Sequence, residues 1–269
     1  MKIIDIHTHI YPDDVAKKAI SRLAKGSMHP LSGCTAREAA EAAEAAAVDY
    51  SVCLPVATKP TQVTAINQFA AATNAAYERL IVFAGIFPGA ADMAVQIETA
   101  AALGLRGIKI HPPFQGVYLD DPCVVELVAL ATAYHMPVLF HGGIDIALPY
   151  PVYASPQRAA SLMDQLEQRG VKDYQLIGAH LGGFALWPDV EKYLQGRKLS
   201  FDTSFLAGRI DPSLMRRIIR NHGIDKILFG TDYPWQSVAE NRDFVLDLHL
   251  GAEAEQAIFY DNAASLLRL

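Results

Sequence analysis

Four histidines and one aspartate stand at the ends of separate apolar runs: His7 and His9 after 3–6, His141 after 138–140, His180 after 176–179, and Asp232 after 227–230. Residues two apart in a strand face the same side, so His7 and His9 project together, with Asp5 one layer below them. Two imidazoles so placed can chelate one divalent ion, and ordinary packing is the alternative for the pair alone. His141 and His180 are each followed at once or nearly so by a glycine pair, Gly142-Gly143 and Gly182-Gly183, where the missing Cβ lets the backbone approach a ligand. The alternative for each is a buried histidine bonded to a carbonyl above a tight turn. Asp232 leaves an apolar strand, where an isolated ionised carboxylate faces a large desolvation penalty that a cation would remove. Its alternative role, N-cap of the next turn, is weakened by Pro234 two positions on. Three neutral imidazoles and a carboxylate leave a net positive charge around a divalent ion, which lowers the pKa of a bound water toward ~7 and supplies a nucleophile at neutral pH.

Residues this far apart meet only if the elements carrying them bring their ends together. Eight β-branched or apolar runs predict strands at 3–7, 51–55, 81–87, 107–111, 137–141, 175–180, 199–202 and 227–231, alternating with segments of helical period. Thr35-Ala36-Arg37-Glu38 reads as a capping box, and Asp211-Pro212 as an N-cap followed by an N1 proline. The strand starts recur at about one βα unit, with no linker or composition break, which predicts one domain over 1–269. Such a chain fits an α/β (β/α)8 TIM barrel of ~250 residues, whose active site forms at the C-terminal ends of the strands. The rival doubly wound sheet wants a glycine-rich turn after the first strand, where this chain has His7-Thr8-His9. The irregular stretch 142–155, with Tyr150 and Tyr153, is a predicted lid, and no arm is predicted after the first strand.

A hydrophobic share of 51% with 19% charged residues describes a globular chain, and a net charge of −6 without a basic run disfavours nucleic acid and anionic membrane surfaces. A small-molecule substrate is the expected partner, with homo-oligomerisation left open. Cys34, Cys53 and Cys123 are odd in number and include no CxxC, so neither a disulfide framework nor a zinc ribbon is suggested. A cytoplasmic location is expected: there is no leader pattern, and no uninterrupted apolar run reaches the ~20 residues of a membrane span. No GxSxG elbow or Cys/His pairing supports a serine or cysteine nucleophile.

The ordered set Asp5-Ile6-His7-Thr8-His9, Ile108-Lys109-Ile110-His111-Pro112, His141-Gly142-Gly143, Ala179-His180-Leu181-Gly182-Gly183 and Gly230-Thr231-Asp232-Tyr233-Pro234 resembles the amidohydrolase superfamily. More narrowly, it is similar to the amidohydrolase-related branch that includes aminocarboxymuconate semialdehyde decarboxylase. The resemblance covers essentially the whole chain. It implies a (β/α)8 barrel with one divalent metal ion, usually Zn2+, held by His7, His9, His141 and Asp232. His180 is then the acid/base that orients and deprotonates the bound water, and Asp232 shares protons as well as binding metal. Binuclear members carry a carboxylated lysine at the end of the fourth strand. Here Lys109 lies one layer below His111 on the same side, and reads as an anchor for a substrate carboxylate or as a buried core amine. His111 reads either as a substrate contact or as a loop histidine bonded to backbone. Phe205, Arg209, Tyr233 and Trp235 are further candidates for pocket wall and anion anchor, with loop packing as the alternative. His29, His135, His222 and His249 are assigned no chemistry.

The leading expectation is a metal-dependent hydrolase that turns activated water on a lactone, amide or ester. The alternative is a non-oxidative decarboxylase, a carboxy-lyase, of a small unsaturated or aromatic carboxylic acid. A catalytically silent metabolite-binding barrel is the third reading. The discriminator is a basic residue clamping a carboxylate beside the ion, for which Lys109 and Arg209 are the candidates. The absence of an arm leans toward hydrolase.

Overall fold

The computed structural model describes residues 1–24 and 29–269. Its strands are β1 (Ile4–Thr8), β2 (Tyr50–Cys53), β3 (Leu80–Val82), β4 (Ala84–Gly85), β5 (Ile108–Ile110), β6 (Val138–Phe140), β7 (Leu176–Gly178), β8 (Ser200–Asp202) and β9 (Ile227–Leu228). Every ladder between them is parallel, in the orders β1-β2-β3 and β4-β5-β6-β7-β8-β9. β3 and β4 are halves of one strand interrupted at Phe83. Phe83 N–H donates back to Cys53 C=O (3.0 Å) while Ala84 N–H donates forward to Gly107 C=O (2.7 Å), so the chain bridges the two ladders there. At the other seam Ile6 N–H donates to Phe229 C=O (2.9 Å) and Asp232 N–H to His7 C=O (2.8 Å). The fold is thus the α/β, eight-position parallel arrangement of a (β/α)8 barrel, as expected from the strand count.

The strands run as apolar stretches because both faces are covered. Ile4, Ile6, Val52, Leu54, Ile81, Phe83, Leu139, Ile177 and Leu228 form an inner cluster, and a larger cluster fills the layer that includes the outer helices. The capping box appears as expected on the helix Ala36–Ala45: Glu38 N–H donates to Thr35 Oγ1 (3.3 Å) and Thr35 N–H to Glu38 Oε2 (3.0 Å). Asp211 caps Pro212–His222 by accepting from Ser213 and Leu214 N–H.

Two expectations need correction. An arm does follow the first strand: the helix Asp13–Leu23 precedes Ala36–Ala45, and its Ala19, Ile20 and Leu23 line the cavity at the barrel mouth. Its acidic first turn, Asp13 and Asp14, and Arg22 in the last turn complement the helix dipole, so nothing local marks it as an insertion. The lid stretch also lies over the cavity, but through Ile144, Asp145, Ile146 and Ala147 rather than its tyrosines. Tyr150 is exposed, and Tyr153 packs beside Tyr118. Among the described residues no helix is long and apolar enough to cross a membrane.

Candidate metal centre and active site

Strand ends deliver the functional side chains because the backbone turns sharply out of the sheet there. His180 (φ 58°) and Asp232 (φ 67°) both occupy the left-handed region, which L residues adopt only when the surroundings impose it. With them, His7, His9, Lys109, His111, His141 and Asp145 line a cavity of about 280 Å³, faced by Phe114, Phe184, Phe205 and Trp235.

Hydrogen-bond partners fix the tautomers. His9 Nδ1 stands 3.1 Å from Leu54 C=O, which only accepts, so Nδ1 carries a proton, and Nε2 meets Asp232 Oδ1 at 2.9 Å. His7 Nδ1 donates to Asp202 Oδ2 (2.8 Å), leaving its Nε2 lone pair 3.4 Å from the same Asp232 oxygen. Two imidazole nitrogens and a carboxylate oxygen therefore converge. The donors of His7, His9 and Asp232 lie within 4.8 Å of one another, and this chemistry fits a divalent cation. Asp202 behind His7 completes the carboxylate–imidazole pairing that orients metal-binding histidines.

Burial, then Lys109, lowers the His7 pKa to about 4, which keeps the imidazole neutral. Burial opposes ionisation of Asp232, but His7 and the His9 contact outweigh it and hold the carboxyl at about 2. Burial likewise opposes ionisation of Asp202, and His7 outweighs it to hold this carboxyl well below the usual range. Asp5, one layer down as expected, accepts from Thr231 Oγ1–H (2.6 Å), Thr231 N–H and His7 N–H, yet burial raises it to about 7.

His180 sits beside this group, its ring 5.2 Å from that of His7. Its Nδ1–H faces Ser204 C=O (3.1 Å) and Oγ (2.9 Å), so its Nε2 accepts from His141 Nδ1–H at 3.2 Å. His141 thus points its Nε2 away from His180, toward Asp145 Oδ2 at 3.9 Å, and does not join the His7, His9 and Asp232 group. Lys109 is 1% exposed at the cavity floor, where burial lowers its pKa to about 8 against the pull of Asp202 and Asp232. His111, Phe205 and Trp235 also line the cavity. Arg209 does not: its guanidinium lies 3.7 Å over the Phe205 ring and donates to Ala207 C=O. Tyr233 is buried outside the cavity, its N–H spent on Thr231 Oγ1.

Sequence reasoning missed Asp202, Ser204 and Asp145. Asp202 gives the same signal as Asp232, a carboxylate ending an apolar strand, and was legible by it. Ser204 and Asp145 lie in loops without a local mark.

The amidohydrolase family model matches residues 4–269, and the chain belongs to the amidohydrolase family. Among solved structures it is similar to 5-carboxyvanillate decarboxylase LigW from Sphingomonas paucimobilis, with a TM-score of 0.77 and 16% identity over 100% of this chain and 99% of that one. A 2,6-dihydroxybenzoate decarboxylase complexed with 2,6-dihydroxybenzoate matches with a TM-score of 0.74 and 15% identity over the whole of both chains, 100% of each. A dihydroxybenzoic acid decarboxylase from Polaromonas sp. JS666, solved with bound manganese and the inhibitor 2-nitroresorcinol, matches with a TM-score of 0.71 and 16% identity over 100% and 97%. At these identities the likeness is one of fold. A search of curated proteins found no significant match to the chain.

Proposed function

We propose that this chain is a metal-dependent carboxy-lyase, removing carbon dioxide without oxidation from a small unsaturated or aromatic carboxylic acid. The observation that carries this reading is Lys109. Its ammonium is buried at the floor of the cavity, and among the described residues no carboxylate stands within 4.0 Å of it. A buried cation without a close partner is costly, and a substrate carboxylate supplies the missing charge. The arm over the mouth removes the reason for preferring hydrolysis.

His7, His9 and Asp232 would hold the ion, with His141 as the fourth ligand that the resemblance implies once its ring turns from Asp145. The imidazole-rich set suits zinc, and manganese is the alternative. When bound, the ion acts as a Lewis acid that stabilises negative charge developing on a substrate oxygen. The residues do the rest. Lys109 anchors the carboxylate, while Phe184, Phe205 and Trp235 hold an unsaturated ring or chain and keep water away. As the carbon–carbon bond breaks, its electron pair stays on the substrate carbon. His180, once its Nε2 has taken a proton from solvent, delivers that proton to the carbon and returns to its neutral form.

Hydrolysis is the second reading, favoured by the fixed tautomer of His180, whose Nε2 is its basic site. That nitrogen accepts from His141 here, so it must first exchange this bond for one to water.

The two reactions separate in ¹⁸O-labelled water with a panel of lactones, amides and carboxylic acids. Carbon dioxide release from an acid, abolished by Lys109→Met with metal retained, is the expected result. Label entering a product carboxylate without carbon dioxide replaces this reading with the hydrolase. His180→Asn should keep its metal and lose roughly 10²–10⁴-fold in turnover in either case.

A further inference from the structure

One carboxylate of the cavity takes no part in the ion centre or in the proton transfer. Asp145 belongs to the loop after β6, which lies over the cavity. Its Oδ1 accepts from Ala147 N–H (2.9 Å) and Leu148 N–H (2.7 Å), so the side chain is fixed and Oδ2 is the oxygen left to the cavity. Burial raises the Asp145 pKa, and the two backbone bonds oppose the rise by favouring the ionised form. Among the described residues Oδ2 makes no hydrogen bond, although the side chain is only 11% exposed. A carboxylate oxygen so enclosed and unpaired is costly, and a ligand that donates to it removes the cost.

The neighbouring nitrogens do not supply that donor. His141 Nε2 stands 3.9 Å away and carries no hydrogen, because the proton of this ring is on Nδ1 and is given to His180 Nε2. Its lone pair goes to the ion in the proposed centre. His111 Nε2 is 3.6 Å away, beyond hydrogen-bond range, and its ring is held between Phe114 (centroids 4.1 Å apart, 9° between planes) and His141 (4.5 Å, 16°). Lys109 is not a partner either: no ion pair within 4.0 Å joins it to Asp145. The lysine lies at the floor, one layer below His111, and the aspartate in the loop at the mouth.

We infer that Asp145 sets the specificity of this site, its Oδ2 accepting a hydrogen bond from a donor group, hydroxyl or amino, at the end of the acid remote from its carboxylate. The inference rests on the carboxy-lyase reading, in which Lys109 holds that carboxylate at the floor. A cation below and a carboxylate above then select an acid that accepts at one end and donates at the other, and they fix which way round it lies. An acid with a methyl group in place of the donor leaves Oδ2 unpaired. It should bind roughly 10–100-fold more weakly, the range for losing a hydrogen bond to a charged group.

Calorimetric titration of the zinc-loaded protein with aminobenzoates and methylbenzoates tests this, the two substituents being nearly equal in size and placed at the 3- or the 4-position. Wild type should prefer at least one aminobenzoate to its methyl counterpart by about 10-fold or more. In Asp145→Asn, Oδ1 keeps the two backbone bonds and the amide NH2 replaces Oδ2, so the preference should vanish while the methylbenzoate still binds. Equal affinities in wild type, or a preference that survives in Asp145→Asn, overturn the inference. Loss of both ligands together in Asp145→Asn also overturns it, because the residue then serves only the shape of the loop. In each of these cases weaker binding of both ligands to Lys109→Met leaves the carboxylate anchor standing. A preference that persists in Lys109→Met with affinity unchanged, and is lost in Asp145→Asn, upholds Asp145 and overturns the anchor. Failure of all four ligands to bind wild type overturns both.

Discussion

The carboxylate of Asp202 is fully buried, and both of its oxygens serve the site. Oδ2 takes the His7 Nδ1–H, while Oδ1 accepts from His180 N–H (2.8 Å), Ser204 N–H (3.0 Å) and Ser204 Oγ–H (2.5 Å). This one side chain therefore sets the tautomer of the proposed metal ligand His7 and the place of the proposed proton carrier. Asp202→Asn should weaken zinc binding at the His7, His9 and Asp232 site by about 10–100-fold, the usual cost of losing such a partner. Competition against a chelator measures it, and unchanged affinity would mean that His7 keeps its orientation without the carboxylate. The residue was visible as a polar end to an apolar strand. Its role was not, because its partner His7 lies 195 positions away in sequence.

At the scale of elements, the glycine pairs have a use other than the one their spacing suggested. Gly143 (φ 88°) is bridged to both Ala154 and Phe184, and a Cβ there would stand 2.2 Å from Phe184 N. A Cβ on Gly142 would meet Ala179 O at 2.8 Å, so the close approach is between the loops after β6 and β7 rather than to a ligand. Gly143→Ala should lower the melting temperature well beyond Gly170→Ala, which shares the positive φ (76°) but has open space around it. The control isolates backbone strain of about 1 kcal/mol, and the clash adds to it at Gly143. Equal effects in the two variants would show that the loops can separate cheaply. The arm Asp13–Leu23 teaches a related point. Its amphipathic pattern predicts a helix as well as any other, but whether a helix packs outside a barrel or over its mouth is set by which surface its apolar stripe meets.

Across the whole molecule, the histidines that are not exposed divide into those that open on the cavity and one that closes the scaffold. His222 belongs to the scaffold: its Nε2–H donates to Leu199 C=O (2.6 Å), its Nδ1 accepts from Gly196 N–H (3.2 Å), and its ring stacks on Phe201. Burial lowers its pKa from 6.5 to about 4, against the Leu199 bond that favours the charged form. The unfolded chain thus binds the extra proton first as pH falls. The stability this neutral histidine contributes is complete above pH 6.5, and about 3 kcal/mol of it is lost as pH falls to about 4. His222→Gln removes the titration, so its melting temperature should fall less than that of wild type between those pH values. Parallel curves for the two proteins would rule out this contribution.

The sequence by itself determined the class of fold, the order of its strands and the identity of the cavity's histidines, Lys109 and Asp232. Those properties are local: hydrophobic period, capping residues such as Thr35 and Glu38, and polar residues that end apolar runs are all readable within a few positions. Tertiary structure alone decided which of those side chains meet. Barrel closure brings His7 and His9 to Asp232, while the fixed ring of His180 turns His141 toward His111 and Asp145. Arg209 is likewise turned onto Phe205 and out of the cavity. The direction of a lone pair depends on the partner of the opposite ring nitrogen, and for His7, His9, His141 and His180 that partner comes from a different strand or loop. No one-dimensional pattern encodes it, and on that direction depends whether a histidine can offer a lone pair to the cavity.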